Sequence, residues 1–169
     1  IDLATNSYGQ GIAATPIQVL TAINSLINDG KLMRPYIIKE VINEDKVRSI
    51  QPVELGQIIK TTTAKEIQQL MLAIVNENKY HQAKIDGFNV AGKTGTTINT
   101  VNAIYDWDYT IASFIGYVPY ESPEISILIK IDYPKGKKNL GGEIAAPTFS
   151  TLAKDILEYL EIAPSEEMV

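Results

Sequence analysis

Three stretches of the chain place apolar residues at the three- and four-residue spacing of an amphipathic helix. In the first stretch, residues 15–30, the predicted buried face consists of Ile17, Leu20, Ile23, Leu26 and Ile27. Thr15 and Gln18 form a capping-box pattern around Pro16, which favours a helix start at that proline. Gly30 is the expected left-handed residue after the helix end.

The second helical stretch is predicted between residues 63 and 79. A capping-box pattern, Thr63-Ala64-Lys65-Glu66, opens it, and its predicted inward face consists of Ile67, Leu70, Met71, Ile74 and Val75. The third stretch follows a turn at Gly141-Gly142 and begins at Pro147. Its predicted apolar stripe consists of Phe149, Leu152, Ile156, Leu157 and Leu160.

Runs rich in β-branched residues predict two groups of antiparallel strands. The first group is a hairpin of residues 36–43 and 46–51 that turns at Glu44-Asp45. The second group is a sheet with strands at 89–97, 109–118 and 124–132, a loop at 98–108 and a tight turn at 119–123. Residues 2–11 are predicted to form a loop. Together these elements predict one α+β domain over residues 1–169, with an antiparallel sheet flanked by helices.

Composition narrows the class of protein. The 169 residues are 45% hydrophobic and 21% charged, which is ordinary for a globular domain. The net charge is −5 and the one short basic cluster lies at residues 135–138, so a nucleic-acid partner is not expected. The chain has no cysteine, which excludes thiol nucleophiles, disulfides and cysteine metal sites. No cofactor or metal is expected, and no apolar run reaches the ~20 residues that span a bilayer.

The candidate chemistry is concentrated in residues 87–97. The run from Gly87 to Thr94 fits the phosphate-binding pattern G-x-x-x-x-G-K-[ST]. The overlapping Lys93-Thr94-Gly95-Thr96, hereafter the KTGT segment, fits the Lys-Thr-Gly strand of penicillin-recognising serine enzymes. Because both patterns are short, a glycine-rich turn with a solvated lysine is a third interpretation.

The flanking residues favour the strand over the phosphate loop. A phosphate loop follows a strand and opens a helix, so that free N–H groups point at the phosphate. Residues 80–86 are polar, and residues 94–101 are mostly β-branched with one glycine, which is a poor helix sequence. We therefore expect Lys93 on a strand, with a nucleotide-binding hydrolase using residues 87–94 as an alternative function.

Two further groups of polar residues carry weaker signals. Asp106 and Asp108 could act as paired carboxylates, but a solvated loop is favoured, because no acid or metal ligand at useful spacing supports them. The single histidine, His81, lies in a polar segment. We predict that it is a surface residue rather than part of a Ser-His-Asp triad.

Several segments resemble, in order and spacing, the carboxy-terminal part of the transpeptidase domain of class B penicillin-binding proteins of the division or sporulation type. They are Ser7-Tyr8-Gly9-Gln10-Gly11, Ala14-Thr15-Pro16, residues 29–36, Gly92 with the KTGT segment, residues 113–119, and Gly141-Gly142 followed by residues 145–149. The resemblance covers almost the whole chain. It implies part of an antiparallel five-stranded sheet flanked by helices, a fold like that of serine β-lactamases.

The resemblance implies acyl transfer for cell-wall cross-linking. A serine attacks the D-Ala-D-Ala bond of a peptidoglycan stem peptide, and an amine from a neighbouring stem resolves the acyl-enzyme. Lys93 would then be a catalytic and substrate-binding cation, and the hydroxyls of Thr94 and Thr96 would bind the carboxylate of the substrate or of a β-lactam. Gly95 would let the substrate backbone approach, and the backbone N–H of Thr96 would be an oxyanion donor.

The chain departs from that family in its nucleophile. The family uses Ser-x-x-Lys and Ser-x-Asn, whereas no serine here has lysine three residues on or asparagine two residues on. Ser126 and Ser150 have a lysine four residues on, which is the wrong spacing. We expect the nucleophile and its base upstream of Ile1, so that this chain alone carries one wall of the active site and no turnover. A non-catalytic binding module of the same fold is the remaining alternative.

The resemblance also implies partners and a location. The expected partners are peptidoglycan stem peptides, β-lactams, the amino-terminal part of the same domain and cell-division proteins, at the extracytoplasmic face of the bacterial membrane. Family members place amino-terminal strands against the third predicted strand, residues 124–132. Without them this isoleucine-rich strand is an open edge, and we expect the isolated chain to dimerise or aggregate through it.

Overall fold

A computed structural model of the chain describes residues 2–7, 9, 11–43, 46–79, 81–101 and 104–164, without the side chains of residues 2, 99–101 and 104–108. The helices are α1 (Asp2–Asn6), α2 (Pro16–Ile27), α3 (Thr61–Asn76) and α4 (Ala146–Tyr159), and a π-helical turn, Gly141–Ala145, leads into α4. The strands are β1 (Lys31–Met33), β2 (Glu40–Asn43), β3 (Lys46–Ser49), β4 (Glu54–Gln57), β5 (Ala91–Val101), β6 (Ile104–Val118) and β7 (Ile125–Asp132). The predicted α+β class is confirmed.

The main sheet is antiparallel, with the strand order β5–β6–β7 among the described residues. Ser113, at the centre of β6, lies opposite Gly95 on β5 and opposite Lys130 on β7. The predicted pairing of the last two strands through a tight turn is confirmed. The predicted loop at residues 98–108 is wrong, because β5 continues to Val101 and β6 already begins at Ile104. Threonine and isoleucine dominate the far end of β5, and such β-branched residues favour continued strand pairing.

Two apolar clusters cover the two faces of this sheet. On one face α4 packs against β6, where the rings of Phe114 and Phe149 meet edge to face with centroids 4.8 Å apart. On the other face, α2 and α3 cover the sheet through a smaller cluster of Leu26, Met71, Ala91 and Tyr117. β5 therefore starts inside the core and runs outward from it, which fixes the position of the KTGT segment.

The start of α2 is built as predicted. The N–H of Gln18 donates to Thr15 Oγ1 at 3.3 Å and the N–H of Thr15 donates to Gln18 Oε1 at 2.8 Å, so the capping box is complete. Gly30 has the predicted positive φ of 85°. The helix ends at Ile27, however, and Asp29 also adopts a left-handed conformation, with φ 53°.

The predicted capping box at residues 63–66 is wrong. α3 begins at Thr61, after an extended Lys60 with φ −67° and ψ 144°, and no side chain caps it. The hydroxyl of Thr61 instead donates to the carbonyl of Asp29 at 3.1 Å. A tertiary contact thus fixes the start of α3, and the Thr63 pattern lies inside the helix.

Several apolar residues predicted to face inward are exposed, namely Ile17, Leu70, Ile74, Leu152 and Leu160. The described elements cover a narrower stripe of each helix than the sequence period suggests. Met71, Val75, Phe149 and Leu157 are buried as predicted. Helix periodicity identified the correct faces but overestimated their width.

Residues 2–11 also differ from prediction. The amino-terminal segment contains α1, and Ser7 Oγ donates to the carbonyl of Ala4 at 2.7 Å, while Tyr8 and Gln10 lie outside the described residues. The predicted turn at Gly141-Gly142 is present and is a π-helical turn. In the described part of the chain, helices long and apolar enough to cross a membrane do not occur.

Residues 31–57, hereafter the arm, run out from α2 and back to α3 as a two-stranded ribbon. β1 pairs with β4 near the core, and β2 pairs with β3 farther out. Between these pairs the N–H of Arg34 donates to the carbonyl of Val53 at 2.8 Å. The predicted hairpin is confirmed with shorter strands, and its tip, Glu44-Asp45, lies outside the described residues.

Candidate functional site

The KTGT segment lies on β5, which is an edge strand of the main sheet. Within the described ranges β5 pairs with β6 alone, so the main-chain groups on its outer side are available to an extended ligand. The side chain of Lys93 is exposed, and the residues from Thr94 to Thr97 are half-buried. A strand edge with a cation and two hydroxyls suits a peptide-like ligand that ends in a carboxylate.

The phosphate-loop alternative is wrong. Gly87 does form a turn, with φ 83°, and Phe88 bridges back to Ile85. The chain then enters β5, so Lys93 and Thr94 lie inside a strand that continues to Val101. A phosphate loop requires the first turn of a helix at this point, with its free N–H groups around the phosphate.

Side chains alternate along β5, which divides the KTGT segment between two faces of the sheet. Lys93 and Gly95 lie on the face covered by α2 and α3, and Thr94 and Thr96 lie on the face covered by the π-helical turn. Lys93 Nζ donates to the carbonyl of Thr94 at 2.9 Å, so the ammonium group stays close to the strand backbone. Because this contact is exposed, a ligand carboxylate can compete for the ammonium.

Both threonines lie beside the π-helical turn. The N–H of Gly141 donates to Thr96 Oγ1 at 3.0 Å. A methyl group placed on Gly142 would come 3.8 Å from Thr94 Cγ2, which is an ordinary contact. The turn therefore forms the wall next to the two hydroxyl groups that the sequence assigned to carboxylate binding.

Side chains of the neighbouring strand fill the space beside two glycines on β5. A Cβ at Gly95 would lie 2.6 Å from Ser113 Oγ, and a Cβ at Gly92 would lie 2.4 Å from Phe114 Cζ. Ser113 Oγ donates to the carbonyl of Gly95 at 3.3 Å and helps to hold that peptide. The Phe114 ring and the Ser113 hydroxyl thus occupy the space that side chains on β5 would fill.

The beginning of β5 is held by a buried polar network centred on Asn89, which is 2% exposed. Asn76 Nδ2 donates to Asn89 Oδ1 at 2.7 Å, and Asn89 Nδ2 donates to Glu121 Oε1 at 2.5 Å. The carbonyl of Asn89 accepts the N–H of Tyr120 at 2.9 Å. Buried amide networks of this kind fix geometry, so Asn89 determines where the strand that carries Lys93 begins.

The prediction that His81 is a surface residue is wrong. Its ring is half-buried, with its centroid 5.9 Å from that of Phe114, and its Nδ1 accepts the N–H of Ala83 at 3.1 Å. Burial lowers the pKa of His81 below its ordinary value of 6.5, and the positive charges of Lys84 and Lys93 lower it further. The uncharged ring is therefore the stable form near neutral pH.

A cavity of about 310 Å³ opens on the Lys93 face of the sheet, between the start of α2 and the three strands. Its wall includes Thr97, Ser113 and Lys130 from the sheet and Pro16 and Val19 from α2. The cavity reaches Thr97, the residue after the KTGT segment, and provides room for a polypeptide segment at that end of it.

The paired-carboxylate hypothesis falls on residues whose side chains are not described. Asp106 and Asp108 both lie in that part of β6. Elsewhere in the described chain, no group of three or more histidine or acidic side chains is arranged to hold a metal ion.

Sequence reasoning missed Ser113, Asn89 and the contact of Gly141 with Thr96. Gly141-Gly142 was visible as a glycine pair, but a pair of glycines does not reveal which strand it touches. Asn89 and Ser113 were visible only as single polar residues beside apolar strands. Their roles depend on register and on contacts between residues that are distant in sequence.

The chain is similar to known proteins over nearly its whole length. The model of the penicillin binding protein transpeptidase domain matches residues 1–158. Stage V sporulation protein D of Bacillus subtilis is 33% identical over 100% of this chain and 27% of its own length. The probable peptidoglycan D,D-transpeptidase PenA of Neisseria meningitidis serogroup A is 31% identical over 99% of this chain and 28% of its own length.

The fold is similar to that of a solved transpeptidase domain. The transpeptidase domain of penicillin-binding protein 3 from Burkholderia pseudomallei superposes with a TM-score of 0.82 and 30% identity. That match covers 97% of this chain and 48% of the other chain. The chain thus spans less than half the length of these relatives.

Proposed function

Because the chain belongs to the penicillin binding protein transpeptidase domain family, we propose that it is the substrate-binding portion of a peptidoglycan D,D-transpeptidase that cross-links the cell wall. The observation that carries this proposal is the KTGT segment on the exposed edge strand β5. An extended stem peptide can pair with this edge through its main chain, as peptides do at other exposed strand edges.

Every member of the KTGT segment has a role in this proposal. Lys93 supplies the positive charge that attracts the anionic end of the substrate and tunes the reacting hydroxyl and amine groups. Thr94 and Thr96 offer hydroxyl donors to the carboxylate of the stem peptide or of a β-lactam. Gly95 leaves room for the substrate backbone, and the N–H of Thr96 stabilises the oxyanion of the tetrahedral intermediate.

The nucleophile belongs to a segment outside this chain. We propose a parent protein in which a preceding segment supplies Ser-x-x-Lys and Ser-x-Asn and completes the domain across β5. The cavity beside Thr97 and Ser113 supports this arrangement, because it leaves space at the end of the KTGT segment, on the same face of the sheet as Lys93. The parent would act at the extracytoplasmic face of the membrane, with cell-division proteins as further partners.

Labelling with a fluorescent penicillin tests the proposal. We expect the parent protein to form a covalent adduct and this chain alone to form none. Lys93→Ala in the parent should lower the acylation rate about 100-fold, because a preorganised charge at the reacting centre is lost. Lys65→Ala, which removes an exposed lysine on α3, is the matched control and should label like wild type.

Two results would contradict the proposal. A covalent adduct on the isolated chain would show that a nucleophile is present in it. A parent whose upstream sequence lacks Ser-x-x-Lys and that resists labelling would favour a non-catalytic binding module of the same fold.

We also propose that the isolated chain self-associates through β7. Within the described ranges β7 pairs only with β6, so its outer edge exposes main-chain donors and acceptors. Leu128→Lys places a charge on this edge and should reduce the association measured by analytical ultracentrifugation. A chain that sediments as a monomer at high concentration would contradict the idea.

A further inference from the structure

The contact between the π-helical turn and the KTGT segment is unusually close. At 3.0 Å, the Gly141 N–H donates to Thr96 Oγ1. A Cβ on Gly141 would lie 2.4 Å from the carbonyl oxygen of Ser113 and 2.5 Å from that of Gly95. Both obstructing atoms belong to the backbone of paired strands, so neither can move aside without disturbing the sheet. Only glycine fits between these carbonyls while its N–H reaches Thr96.

The turn is held in place by contacts that do not involve Thr96. The buried Thr110 on β6 donates its hydroxyl to the carbonyl of Asn139 at 3.0 Å. Glu143 Oε2 accepts the N–H of Leu140 at 3.3 Å. These bonds fix the residues just before the turn, so the turn sets the direction of the Gly141 N–H. The Thr96 hydroxyl orients itself to accept that N–H.

A threonine hydroxyl has one proton to donate and two lone pairs that accept. The Gly141 N–H occupies one lone pair of Thr96 Oγ1, and within the described ranges no acceptor is paired with the Thr96 O–H. A hydroxyl that accepts a hydrogen bond is polarised and becomes a better donor. Its proton is thereby left free for a ligand, and a carboxylate is the strongest acceptor that a ligand can offer.

We propose that Gly141 is a positioning residue, which orients and polarises the Thr96 hydroxyl so that it donates to the carboxylate of the bound substrate or β-lactam. This inference rests on the proposed function, because it concerns the ligand of the same strand. Gly141 acts through Thr96 and has no contact of its own with the ligand.

The adjacent glycines provide a matched pair of variants. Gly141→Ala forces a methyl group against two backbone carbonyls, whereas Gly142→Ala places its methyl group 3.8 Å from the nearest atom, Thr94 Cγ2. In the parent protein, Gly141→Ala should lower the second-order rate of acylation by a fluorescent penicillin about tenfold, near the lower end of the contribution of a hydrogen bond to a charged group. Gly142→Ala should leave that rate unchanged.

Two further measurements separate positioning from loss of structure. A penicillin whose carboxylate is esterified should react with wild type and with Gly141→Ala at similar rates, because the charged acceptor is absent. Thr96→Val should lower the rate with the free carboxylate as much as Gly141→Ala does, and the double variant should be no slower than either single variant. The inference would be overturned if the double variant lost the product of the two single-variant factors. It would also be overturned if Gly141→Ala lowered the acylation rate as much with the ester as with the free carboxylate.

Hydrogen exchange on this chain tests the contact without altering either glycine. Thr96→Val should raise the exchange rate of the Gly141 amide about tenfold, whereas Thr96→Ser retains the hydroxyl and should preserve protection. An unchanged Gly141 amide in Thr96→Val would overturn the inference even if the parent is acylated normally. Failure of the wild-type parent to react with penicillin would instead reject the proposed function.

Discussion

The main sheet and the arm are both antiparallel, but large apolar side chains are buried in the sheet and exposed in the arm. In the sheet, β6 carries Phe114 and Tyr117, which are fully buried by helices on the two faces. In the arm, Ile37, Ile42 and Val47 are 100%, 68% and 63% exposed. Strands pair antiparallel in both regions, so pairing alone does not create the packed environment.

This difference explains where a functional group can be held precisely. Close-packed neighbours such as Phe114, Ser113 and Gly141 fix the positions of the residues on β5. A displacement of any of these neighbours therefore moves the KTGT segment as well. A two-stranded ribbon without a packed face is only marginally stable. The contrast makes quantitative predictions about variants in the two regions.

Phe149→Ala should destabilise the chain by about 3–5 kcal/mol, because it empties the centre of the cluster between α4 and β6. Ile42→Ala, in the arm, should change stability by less than about 0.5 kcal/mol. Urea unfolding of both variants measures the difference. If Phe149→Ala prevents folding, Phe149→Leu should still unfold at lower urea than wild type. Equal losses for Phe149→Ala and Ile42→Ala would refute the contrast.

Gly92→Ala should cost about 1–3 kcal/mol, the usual range for overpacking a core. The added methyl group would lie 2.4 Å from Phe114 Cζ and 2.9 Å from the carbonyl oxygen of Ile115. Thermal unfolding checks this, with Gly142→Ala as the control that meets only an ordinary contact. A Gly92→Ala variant as stable as Gly142→Ala would show that the Phe114 ring can move aside to make room for the methyl group.

Tyr117→Phe should stabilise the chain by about 1 kcal/mol. The Tyr117 hydroxyl is buried and lacks a hydrogen-bond partner in the described structure, so its removal relieves a desolvation cost. Burial, with a smaller effect of Tyr120, raises the pKa of Tyr117 above its ordinary value of 10.0.

The raised pKa adds a pH dependence to this prediction. Burial favours the neutral phenol in the folded state, whereas in the unfolded chain the phenol ionises above pH 10.0. The free energy of unfolding is therefore unaffected by this ionisation below pH 10.0 and falls as the pH rises above that value. The advantage of Tyr117→Phe in urea unfolding should therefore grow above pH 10.0. A constant difference between the two proteins at all pH values would contradict the burial of this group.

His81→Asn should have a small effect that appears only in acid. The folded-state pKa of His81 lies below 6.5, so the contribution of the neutral ring is present above pH 6.5 and is lost as the pH falls below it. Asparagine keeps an acceptor for the Ala83 N–H but does not titrate. We expect a smaller loss of thermal stability on acidification in the variant, and an identical acid profile would show that His81 is not involved.

The sequence allowed prediction of features that depend on neighbours along the chain. The capping box of Thr15 and Gln18, the pairing around the Pro119 turn and the strand placement of Lys93 follow from local patterns, and the structure confirms them. The Thr63 box failed because the start of α3 is fixed by a contact between Thr61 and Asp29, which are distant in sequence.

The candidate site shows the same division. Residues of the KTGT segment could be found from their letters, since a lysine, two threonines and a glycine at fixed spacing form a recognisable pattern. The environment of that segment could not be found, because Ser113 and Gly141 reach it through strand register and through the π-helical turn. Neither feature leaves a periodic signal in the sequence.

The hydrogen bond between Arg34 and Val53 in the arm has a practical consequence for protein engineering. Arg34 and Val53 are already joined by a 2.8 Å hydrogen bond across the ribbon, so the chain leaves and returns at the same place. A two-residue hairpin turn can close such a gap. We therefore expect that residues 35–52 can be replaced by a short turn or by another loop. The packing of α2 against α3 should be retained in such a chain.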